Sequence, residues 1–429
     1  YEIALKIGVP IERTPDIEIM NDILNSSDVI IDAIFGTGLE REVKGLYKDA
    51  IVSMNNSGLP LLSIDIPSGV NGNNGQVMGV AVEADITVSF GLPKLGNVLY
   101  PGYALAGELW VTHISFPPEL TASKSITTEI NEPLPLPPRP EDGHKTSFGD
   151  VLFIAGAAGY LGAPYFSAMS FLKAGGGYAR LAAPVSVVNT LGSGGSEIVF
   201  IPLKETKSGS IAKNNTRELK KLSQKVDFVV IGPGLSLEEE TQELIRELIS
   251  TIDKPLLIDG DGITAVCTHP EICKKRKAPT IITPHPGEMA RMIGKSITEI
   301  KKSPLQILKN ETKKWNSMII LKGAHTLIGM PTGQMYLNLS GNSGMASAGS
   351  GDALTGTIAA MYGLGLPVKE AVKTGVFLHG FSGDLAAAEI GEDGVTAREI
   401  MEFLPDATLL YRQEYEEIMK DNYGKIKII

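Results

Sequence analysis

Short runs of apolar residues recur along the chain, and turns rich in glycine or polar residues follow them. The runs contain many β-branched residues and lack polar alternation, which is typical of strands buried on both faces of a parallel sheet. Between the runs, apolar residues recur at the spacing of amphipathic helices. The pattern predicts strands over 27–35, 60–66, 87–90, 150–155, 228–231, 255–258, 280–282 and 318–322, and helices over 44–56, 161–175, 237–250 and 353–364.

A proline-rich stretch divides this pattern into two segments. It contains the sequence PLPLPPRP, which cannot continue a helix or a central strand. We therefore predict a first domain over 1–118, a linker over 119–141 and a second domain over 142–429. Since strands alternate with helices, the fold class is α/β: a mostly parallel sheet with helices on both faces, preceded by a partial Rossmann-like α/β/α domain. Such sheets bind ligands at the carboxyl ends of their strands.

Composition and charge narrow the possible functions. The chain has 429 residues, 43% of them hydrophobic, and a net charge of −10, which argues against binding nucleic acid or an anionic membrane. Cys267 and Cys273 fit neither a metal spacing nor a disulfide framework, so we expect a cytoplasmic protein. No apolar run of about 18 residues and no signal peptide occur. The chain begins at Tyr1 and not at Met, so we expect that an N-terminal segment is missing.

The segment 341–356 is the most informative part of the chain. Its small residues let the backbone approach a ligand closely, and the helix that follows presents unpaired N–H groups to phosphate oxygens. Asp352 stands at the end of this loop, where an anion site gains nothing from a negative charge. It could act as a general base on a hydroxyl beside a nucleotide, or it could cap the helix. The loop alone favours neither role.

Two other turns after predicted strands are rich in glycine, and one of them also carries carboxylates. Glycines around Gly234 let a ligand lie on bare backbone. Asp259 and Asp261 could hold a metal ion through water or stabilise a turn, and the turn is slightly favoured.

Two further strand ends carry basic side chains. His285 lies between two prolines, which suits a positioned ligand contact, although Glu288 nearby could cap the next helix. Lys322 could meet phosphate oxygens, or it could be an ordinary solvated lysine.

The order of these turns resembles the ribokinase-like fold. Within it, the segments 283–288, 322–324 and 341–356, with His144 and Lys145 ahead of the first strand, resemble the nucleotide-dependent NAD(P)HX dehydratases, over about residues 142–405. The resemblance implies that Ala163, Gly234, His285 and Asp352 contact the hydrated cofactor. It implies nucleotide contacts by Lys322, Gly323, Ala324, His325, Thr326, Asn342, Ser343, Gly344, Met345, Ala346, Ser347, Ala348, Gly349, Ser350 and Gly351.

The same resemblance implies a mechanism. The hydroxyl at C6 of the hydrated ring would be phosphorylated and eliminated as phosphate, with Asp352 as the catalytic base. Magnesium would travel with the nucleotide, and ADP, giving AMP and phosphate, is expected over ATP. Ala348 stands where the family more often has glycine. If this position needs a positive φ, the methyl group would cost about 1 kcal/mol or more and weaken nucleotide binding.

The first domain resembles the NAD(P)HX epimerases through three turns that follow strands: 32–39, 64–70 and 91–94. By that resemblance Asp65 is the acid/base carboxylate, and Asp32 and Ser68 bind a potassium ion. The structural alternative for Asp65 is a carboxylate bonded to its own turn. The family's phosphate loop does not occur after Tyr1, so we expect little epimerase activity from this chain. The implied substrate contacts of this domain are Gly36, Thr37, Gly38, Leu39, Glu40, Arg41, Glu42 and Asp65.

The leading hypothesis is therefore a cofactor-repair enzyme that acts on NADHX and NADPHX, with a homo-oligomeric assembly expected from the same family. A hydroxymethylpyrimidine or hydroxyethylthiazole kinase is the alternative, since these enzymes share the glycine-rich loop that ends in Asp. A non-catalytic nucleotide-sensing scaffold is the third hypothesis. The segment 283–288 and the first domain favour repair over the kinases, and the joint presence of Asp352, Lys322 and His285 argues against the scaffold.

Overall fold

The structure, a computed structural model, describes residues 2–11 and 16–429. It contains two compact units, one formed by residues up to 123 together with 424–429, and the other by residues 124–423. Tyr1, on which the expectation of a missing segment rests, lies outside the described residues. In the part of the chain that is described, no helix is both long and apolar enough to cross a membrane.

The first unit is built on a parallel sheet. Among its described residues, five strands form this sheet in the order β1-β2-β3-β4-β15, and every neighbouring pair is parallel. The strands are β1 (Ile30–Asp32), β2 (Leu61–Ile64), β3 (Ile86–Phe90), β4 (Glu108–Thr112) and β15 (Ile426–Ile428). The helices are α1 (Glu2–Lys6), α2 (Ile17–Asn25), α3 (Leu46–Asn56), α4 (Leu95–Val98), α5 (Gly102–Leu105) and α6 (Pro118–Thr121).

The second unit is built on a larger mixed sheet. Its strands are β5 (Thr128–Ile130), β6 (Asp150–Ile154), β7 (Tyr178–Pro184), β8 (Val199–Leu203), β9 (Phe228–Ile231), β10 (Leu256–Ile258), β11 (Thr280–Ile282), β12 (Met318–Leu321), β13 (Leu327–Gly329) and β14 (Met335–Leu337). They lie in the order β5-β14-β13-β12-β11-β10-β9-β6-β7-β8. All neighbouring pairs are parallel except β12 with β13 and β13 with β14. The predicted mostly parallel sheet is thereby confirmed.

Helices cover both faces of this second sheet, as the burial of the residues on both sides of its central strands shows. Every residue of β6, β9, β10, β11 and β12 is buried, which explains why their sequences show no polar alternation. The helices are α7 (Gly162–Lys173), α8 (Val185–Gly192), α9 (Thr216–Ser223), α10 (Glu239–Thr251), α11 (Asp261–Val266), α12 (Pro270–Lys274), α13 (Pro286–Ile293), α14 (Ile297–Lys302), α15 (Pro304–Trp315), α16 (Ser350–Gly363), α17 (Val368–Ile390), α18 (Ala397–Glu402), α19 (Leu404–Gln413) and α20 (Tyr415–Met419).

Helix α16 is held in place by an unusually close contact with α7. A Cβ atom on Gly356 would lie 2.1 Å from the carbonyl oxygen of Ser167, so only glycine permits this approach. The hydroxyl groups of Ser167 and Thr355 are also 2.6 Å apart and hydrogen-bonded in the core. These contacts fix the start of α16, where Asp352 lies.

The division of the chain differs from the sequence-based boundaries in two places. The proline-rich stretch carries β5, which pairs in parallel with β14 and so belongs to the second unit. The last residues form β15, which pairs with β4 of the first unit. Both strands have only three residues, too few for a recognisable periodic pattern.

Candidate active sites

The second unit gathers the predicted turns along one edge of its sheet. Strands β12, β11, β10, β9 and β6 are neighbours in this order and run parallel, so their carboxyl ends lie side by side. Lys322, Thr283, Asp259, Gly232 and Ala155 directly follow these strands. The edge therefore forms a continuous site, as expected for ligand binding by an open parallel sheet.

One side of this site is lined by backbone and small side chains. Gly234 has a φ of +61°, and a Cβ atom there would lie 2.7 Å from Cβ of Tyr160 and 3.2 Å from Cβ of Ala163. Ala163 and Gly234, both expected substrate contacts, therefore face each other. Asp261 supports the same turn, since its carboxylate accepts a hydrogen bond from the Ser236 amide at 2.8 Å. The turn-stabilising role considered for Asp261 is the one seen.

Lys322 is the cation of a buried ion cluster. Its Nζ lies 2.8 Å from Oδ1 of Asp259 and 3.9 Å from Oε2 of Glu288, and its side chain is only 20% exposed. Burial lowers the pKa of Lys322, but the attraction of Asp259 and Glu288 outweighs it, so the pKa is raised and the ammonium stays charged. Lys322 is therefore not the ordinary solvated lysine of the alternative interpretation. A Cβ atom on Gly351 would lie 3.0 Å from Nζ, which places this charge beside the start of α16.

His285 and Glu288 cap helix α13 reciprocally. Nδ1 of His285 accepts hydrogen bonds from the amides of Gly287 (3.0 Å) and Glu288 (3.4 Å), while the Glu288 carboxylate accepts one from the His285 amide (2.8 Å). Burial lowers the pKa of His285, with Lys322 adding to the effect, so the ring is neutral and its proton sits on Nε2. The side chain is 53% exposed, which leaves Nε2–H able to donate to a ligand.

The loop before α16 is held both by hydrogen bonds within itself and by hydrogen bonds to helix α17. Asn342 donates a hydrogen bond to the carbonyl oxygen of Gly383 and accepts one from the amide of Gly344, so its side chain is already engaged. Gly349 has a φ of +95° and is the N-cap residue of α16. Ala348 does not have a positive φ, so the energetic cost considered for its methyl group does not arise. The glycine that this turn requires is Gly349.

Asp352 is the third residue of α16 and does not cap it. Gly349 occupies the cap position, and no side chain caps this helix end. Among the described residues, no group donates a hydrogen bond to the Asp352 carboxylate. Burial raises its pKa to about 7, with Asp259 adding to the rise and Lys322 opposing it. A carboxylate with this pKa is suited to general base catalysis near neutral pH.

The pKa of Asp352 predicts two opposite pH trends. The base must be ionised, so kcat/KM of the second unit should rise with pH through about 7 and then level off. The folded protein binds this proton more tightly than the unfolded chain, so the carboxylate's contribution to the free energy of unfolding should fall from about pH 4 to about pH 7. Initial rates and urea midpoints across this range test both trends. A kcat/KM that is flat across pH 7 would contradict the first.

Three carboxyl groups of this site, those of Asp259, Glu288 and Asp352, interact electrostatically with one another. No group of three or more His, Cys, Asp or Glu side chains in residues 2–11 and 16–429 is arranged to hold a metal ion. Burial raises the pKa of Glu288 as well as that of Asp352, and in each case Asp259 adds to the rise. The site thus carries more negative charge than Lys322 neutralises.

The first unit presents a second candidate site around Asp65. This residue follows β2 with a φ of +69°, and its Oδ1 lies 2.7 Å from Nζ of Lys94. It also accepts a hydrogen bond from the amide of Phe90 at 3.0 Å. The carboxylate is thus bonded to the end of β3 and to the turn that follows β3. A carboxylate bonded to its own turn, the structural alternative for Asp65, is not what the described residues show.

The proposed potassium ligands lie beside this site. The amide of Ser68 donates to Oδ2 of Asp32 at 2.8 Å, and the hydroxyl of Ser63 donates to the same oxygen at 2.8 Å. The hydroxyl of Ser68 accepts from the amide of Phe35 at 2.8 Å. Of the segment 36–42, only Leu39 is buried, so its side chain belongs to the core and its neighbours are exposed.

Sequence reasoning missed two side chains that the structure brings to these sites, and it included Lys94 only within the segment 91–94, without a role. His379 and Asp384 on α17 bind the loop before α16, and Lys94 pairs with Asp65. The first two could have been suspected as polar residues in a mostly apolar, buried helix, which usually have a specific partner.

Comparison with known proteins agrees with this geometry. The solved structure of a ribokinase-like superfamily protein from Enterococcus faecalis V583 matches at a TM-score of 0.57 and 26% identity, over 67% of this chain and 98% of that chain. An ADP/ATP-dependent NAD(P)H-hydrate dehydratase from Bacillus subtilis, co-crystallized with ATP/Mg2+, matches at a TM-score of 0.54 and 28% identity, over 65% and 94%. The fold and the strand-end site thus define a ribokinase-like enzyme.

Family models and sequence relatives make the assignment narrower. A model described as NAD(P)H-hydrate dehydratase matches residues 151–406, and one described as YjeF-related protein N-terminus matches residues 1–96. The bifunctional NAD(P)H-hydrate repair enzyme Nnr of Thermofilum pendens is 49% identical over 98% of this chain and 80% of its own length. That of Moorella thermoacetica is 36% identical over 93% and 76%. The chain belongs to the family of bifunctional NAD(P)H-hydrate repair enzymes, and not to the hydroxymethylpyrimidine or hydroxyethylthiazole kinases.

Proposed function

We propose that the second unit dehydrates NADHX and NADPHX of the 6S configuration, with ADP used in preference to ATP and converted to AMP and phosphate. The observation that carries this proposal is the Asp352 carboxylate, whose pKa is raised to about 7 by burial and which no described residue hydrogen-bonds. It stands beside the Lys322 ammonium at the start of a helix, where a phosphoryl group and a hydroxyl can meet.

The proposed reaction has two stages. In the first, the C6 hydroxyl gives its proton to Asp352 while its oxygen bonds to the terminal phosphorus of ADP, and the bond from that phosphorus to AMP breaks. In the second, the C6–O bond breaks, phosphate leaves with the bonding electrons, and C5 gives its proton to the departing phosphate, which restores the ring double bond. Water is thereby removed from the hydrate and consumed in splitting ADP.

The remaining groups would bind and orient the two substrates. Lys322 and the first N–H groups of α16 would stabilise charge on the transferred phosphoryl group. Nε2–H of His285 would donate to the hydrate, which lies against Gly234 and Ala163. Magnesium would supply further charge neutralisation, and the excess of buried carboxylates over cations suits it. Asp259 and Glu288 would hold the ion through water, with the nucleotide phosphates as its main ligands.

The first unit belongs to the NAD(P)HX epimerase family, and we propose that Asp65 is the acid/base group of its site and that Lys94 is the partner of that carboxylate, with little epimerase activity expected from this chain. Asp32 and Ser68 lie together and offer oxygen atoms, which supports a potassium ion there. Such an ion would bind oxygen atoms of Asp32 and Ser68 that also accept hydrogen bonds, from Ser63 and Phe35 respectively.

One assay tests these proposals together. A mixture of both hydrate epimers is given magnesium with ADP or with ATP, and the recovery of reduced-nicotinamide absorbance is followed. We expect faster recovery with ADP, which should stop near about half of the hydrate unless the first unit interconverts the epimers. Recovery beyond that point, faster in potassium than in sodium salts, supports the epimerase and its cation. No recovery with either nucleotide contradicts the dehydratase proposal.

Beyond the reaction, we propose a homo-oligomeric protein of the cytoplasm. Cys267 and Cys273 are both free thiols, which supports a reducing compartment. Light scattering of the purified protein tests the assembly.

A further inference from the structure

The segment 341–351, which we call the nucleotide loop, is bound to helix α17 at both ends of the loop. At the first end, Oδ2 of Asp384 accepts a hydrogen bond from the Gly341 amide at 2.8 Å, and its Oδ1 accepts one from Nδ2 of Asn342 at 2.9 Å. At the other end, Nε2 of His379 lies 2.9 Å from the carbonyl oxygen of Ser350. None of the sites expected from the sequence includes a residue of this helix.

Between these two contacts, the loop lies directly on the backbone of α17. A Cβ atom on Gly380 would lie 2.2 Å from Oγ of Ser340, and one on Gly383 would lie 2.3 Å from Sδ of Met345. Residues 379, 380, 383 and 384 share one face of the helix because of its 3.6-residue repeat. This face, which we call the loop platform, is therefore shaped to receive the loop.

The two polar side chains of the loop platform, His379 and Asp384, each contact the loop in one defined hydrogen-bonding arrangement. Burial lowers the pKa of His379 to about 4, so its ring is neutral, and Nε2 carries the proton that it donates to Ser350. The Asp384 carboxylate also receives a third hydrogen bond, from the hydroxyl of Tyr423 at 2.6 Å. The Tyr423 ring is itself packed at 5.3 Å from the ring of Phe377. The hydrogen bond from the packed Tyr423 thus helps to hold the Asp384 carboxylate in place.

We propose that Asp384, supported by Tyr423, and His379 are positioning residues that set the geometry of the nucleotide loop without touching the nucleotide. The inference rests on the proposed function, in which this loop binds the phosphates. Backbone N–H groups bind phosphate well only when they point at the same oxygen atoms, so a loop held at both ends loses less freedom on binding. The carboxylate matters because it accepts from the Gly341 amide and the Asn342 side chain at the same time.

The test compares Asp384→Asn and Tyr423→Phe with wild type and with Tyr415→Phe as a matched control. The Tyr415 hydroxyl donates to the carbonyl oxygen of Pro133 at 3.0 Å, so the control removes a similar hydrogen bond that does not reach the loop. Asparagine at 384 places an N–H donor opposite another donor. We expect it to raise the KM for ADP about tenfold or more, with a smaller change in kcat. Tyr423→Phe should raise KM about two- to fivefold, and Tyr415→Phe should leave it unchanged.

Calorimetric titration with ADP and magnesium, and amide hydrogen exchange over residues 341–351, separate the possible failures. If wild type does not bind the nucleotide, the proposed function fails, and the exchange rates still show whether Asp384→Asn frees the loop. If wild type binds ADP and both variants bind it equally well, the inference is overturned. A rise in KM no larger than that of Tyr415→Phe also overturns it. Tyr423→Phe removes only one hydroxyl, so it gives a readout even if Asp384→Asn folds poorly.

Discussion

Replacing Asp352 with asparagine should lower kcat of the dehydratase reaction by about 10²–10⁴-fold while leaving the affinity for ADP close to that of wild type. The carboxylate lies on the third residue of α16, has no hydrogen-bond donor among the described residues, and has its pKa raised to about 7 by burial. Asparagine has nearly the same shape, so the packing of α16 against α7 should persist. What is lost is the ability to accept a proton from the substrate.

Stability measurements separate this effect from misfolding. The ionised form of a carboxylate with a raised pKa is disfavoured in the folded state, so Asp352→Asn should unfold at the same or a higher urea concentration than wild type above about pH 7. The measurement pairs single-turnover rates with calorimetric binding of ADP and urea unfolding. A variant that retains kcat within about threefold of wild type would show that Asp352 is not the base.

Replacing Lys322 with methionine should abolish nucleotide-dependent turnover and lower the free energy of unfolding by about 3–5 kcal/mol at neutral pH. The side chains of Asp259 and Glu288 are only 3% and 8% exposed, and Lys322 is the cation that they contact. Methionine keeps the aliphatic stem but leaves these carboxylates without a positive charge. The loss should be smaller at about pH 5, where the carboxylates of the variant can take up protons.

Lys314→Met is the control for Lys322→Met. Lys314 pairs with Glu311 at 3.5 Å on the surface, with 52% of its side chain exposed, so its loss should cost less than about 1 kcal/mol. Burial raises the pKa of Asp352 and Lys322 opposes that rise, so any activity left in Lys322→Met should require a higher pH than in wild type. Equal urea midpoints for Lys322→Met and wild type would contradict the buried ion cluster.

The central part of the fold was predictable because short apolar runs that alternate with amphipathic helices leave few alternatives to a parallel sheet. Strands β9 and β11 have the bounds predicted for them, and α3 and α10 lie within one or two residues of their predicted bounds. Strands β4, β7, β8, β13 and β14 escaped prediction. The first three interrupt their apolar residues with charged, small or proline residues, and the last two form an antiparallel hairpin that the expected alternation of strands and helices does not include. Pairing with a distant partner defines such strands, as β5 shows by its pairing with β14.

The candidate site was predictable to the extent that it lies at strand ends. The positions of Asp259 and Lys322 follow from the ends of β10 and β12, but their contact depends on the sheet order, which the sequence does not display. The sequence motif allowed a ligand contact by His285 or a cap on the next helix. Only the position of Nδ1, which accepts from the Gly287 amide, shows that His285 caps α13 while Nε2–H remains able to donate. The contact between Asp384 and Gly341 spans 43 residues and leaves no local signal.

Strand β15 has a consequence for the way the protein is synthesised. It completes the first unit's sheet beside β4, yet residues 124–423 are translated between the two. During synthesis β4 therefore emerges from the ribosome with an open edge, and this edge stays open to other chains until residues 426–428 have been translated. The nascent first unit thus depends for its protection on residues 426–428, which lie about 300 residues further along the chain, and a fragment cut after residue 123 would lack the strand that covers this edge.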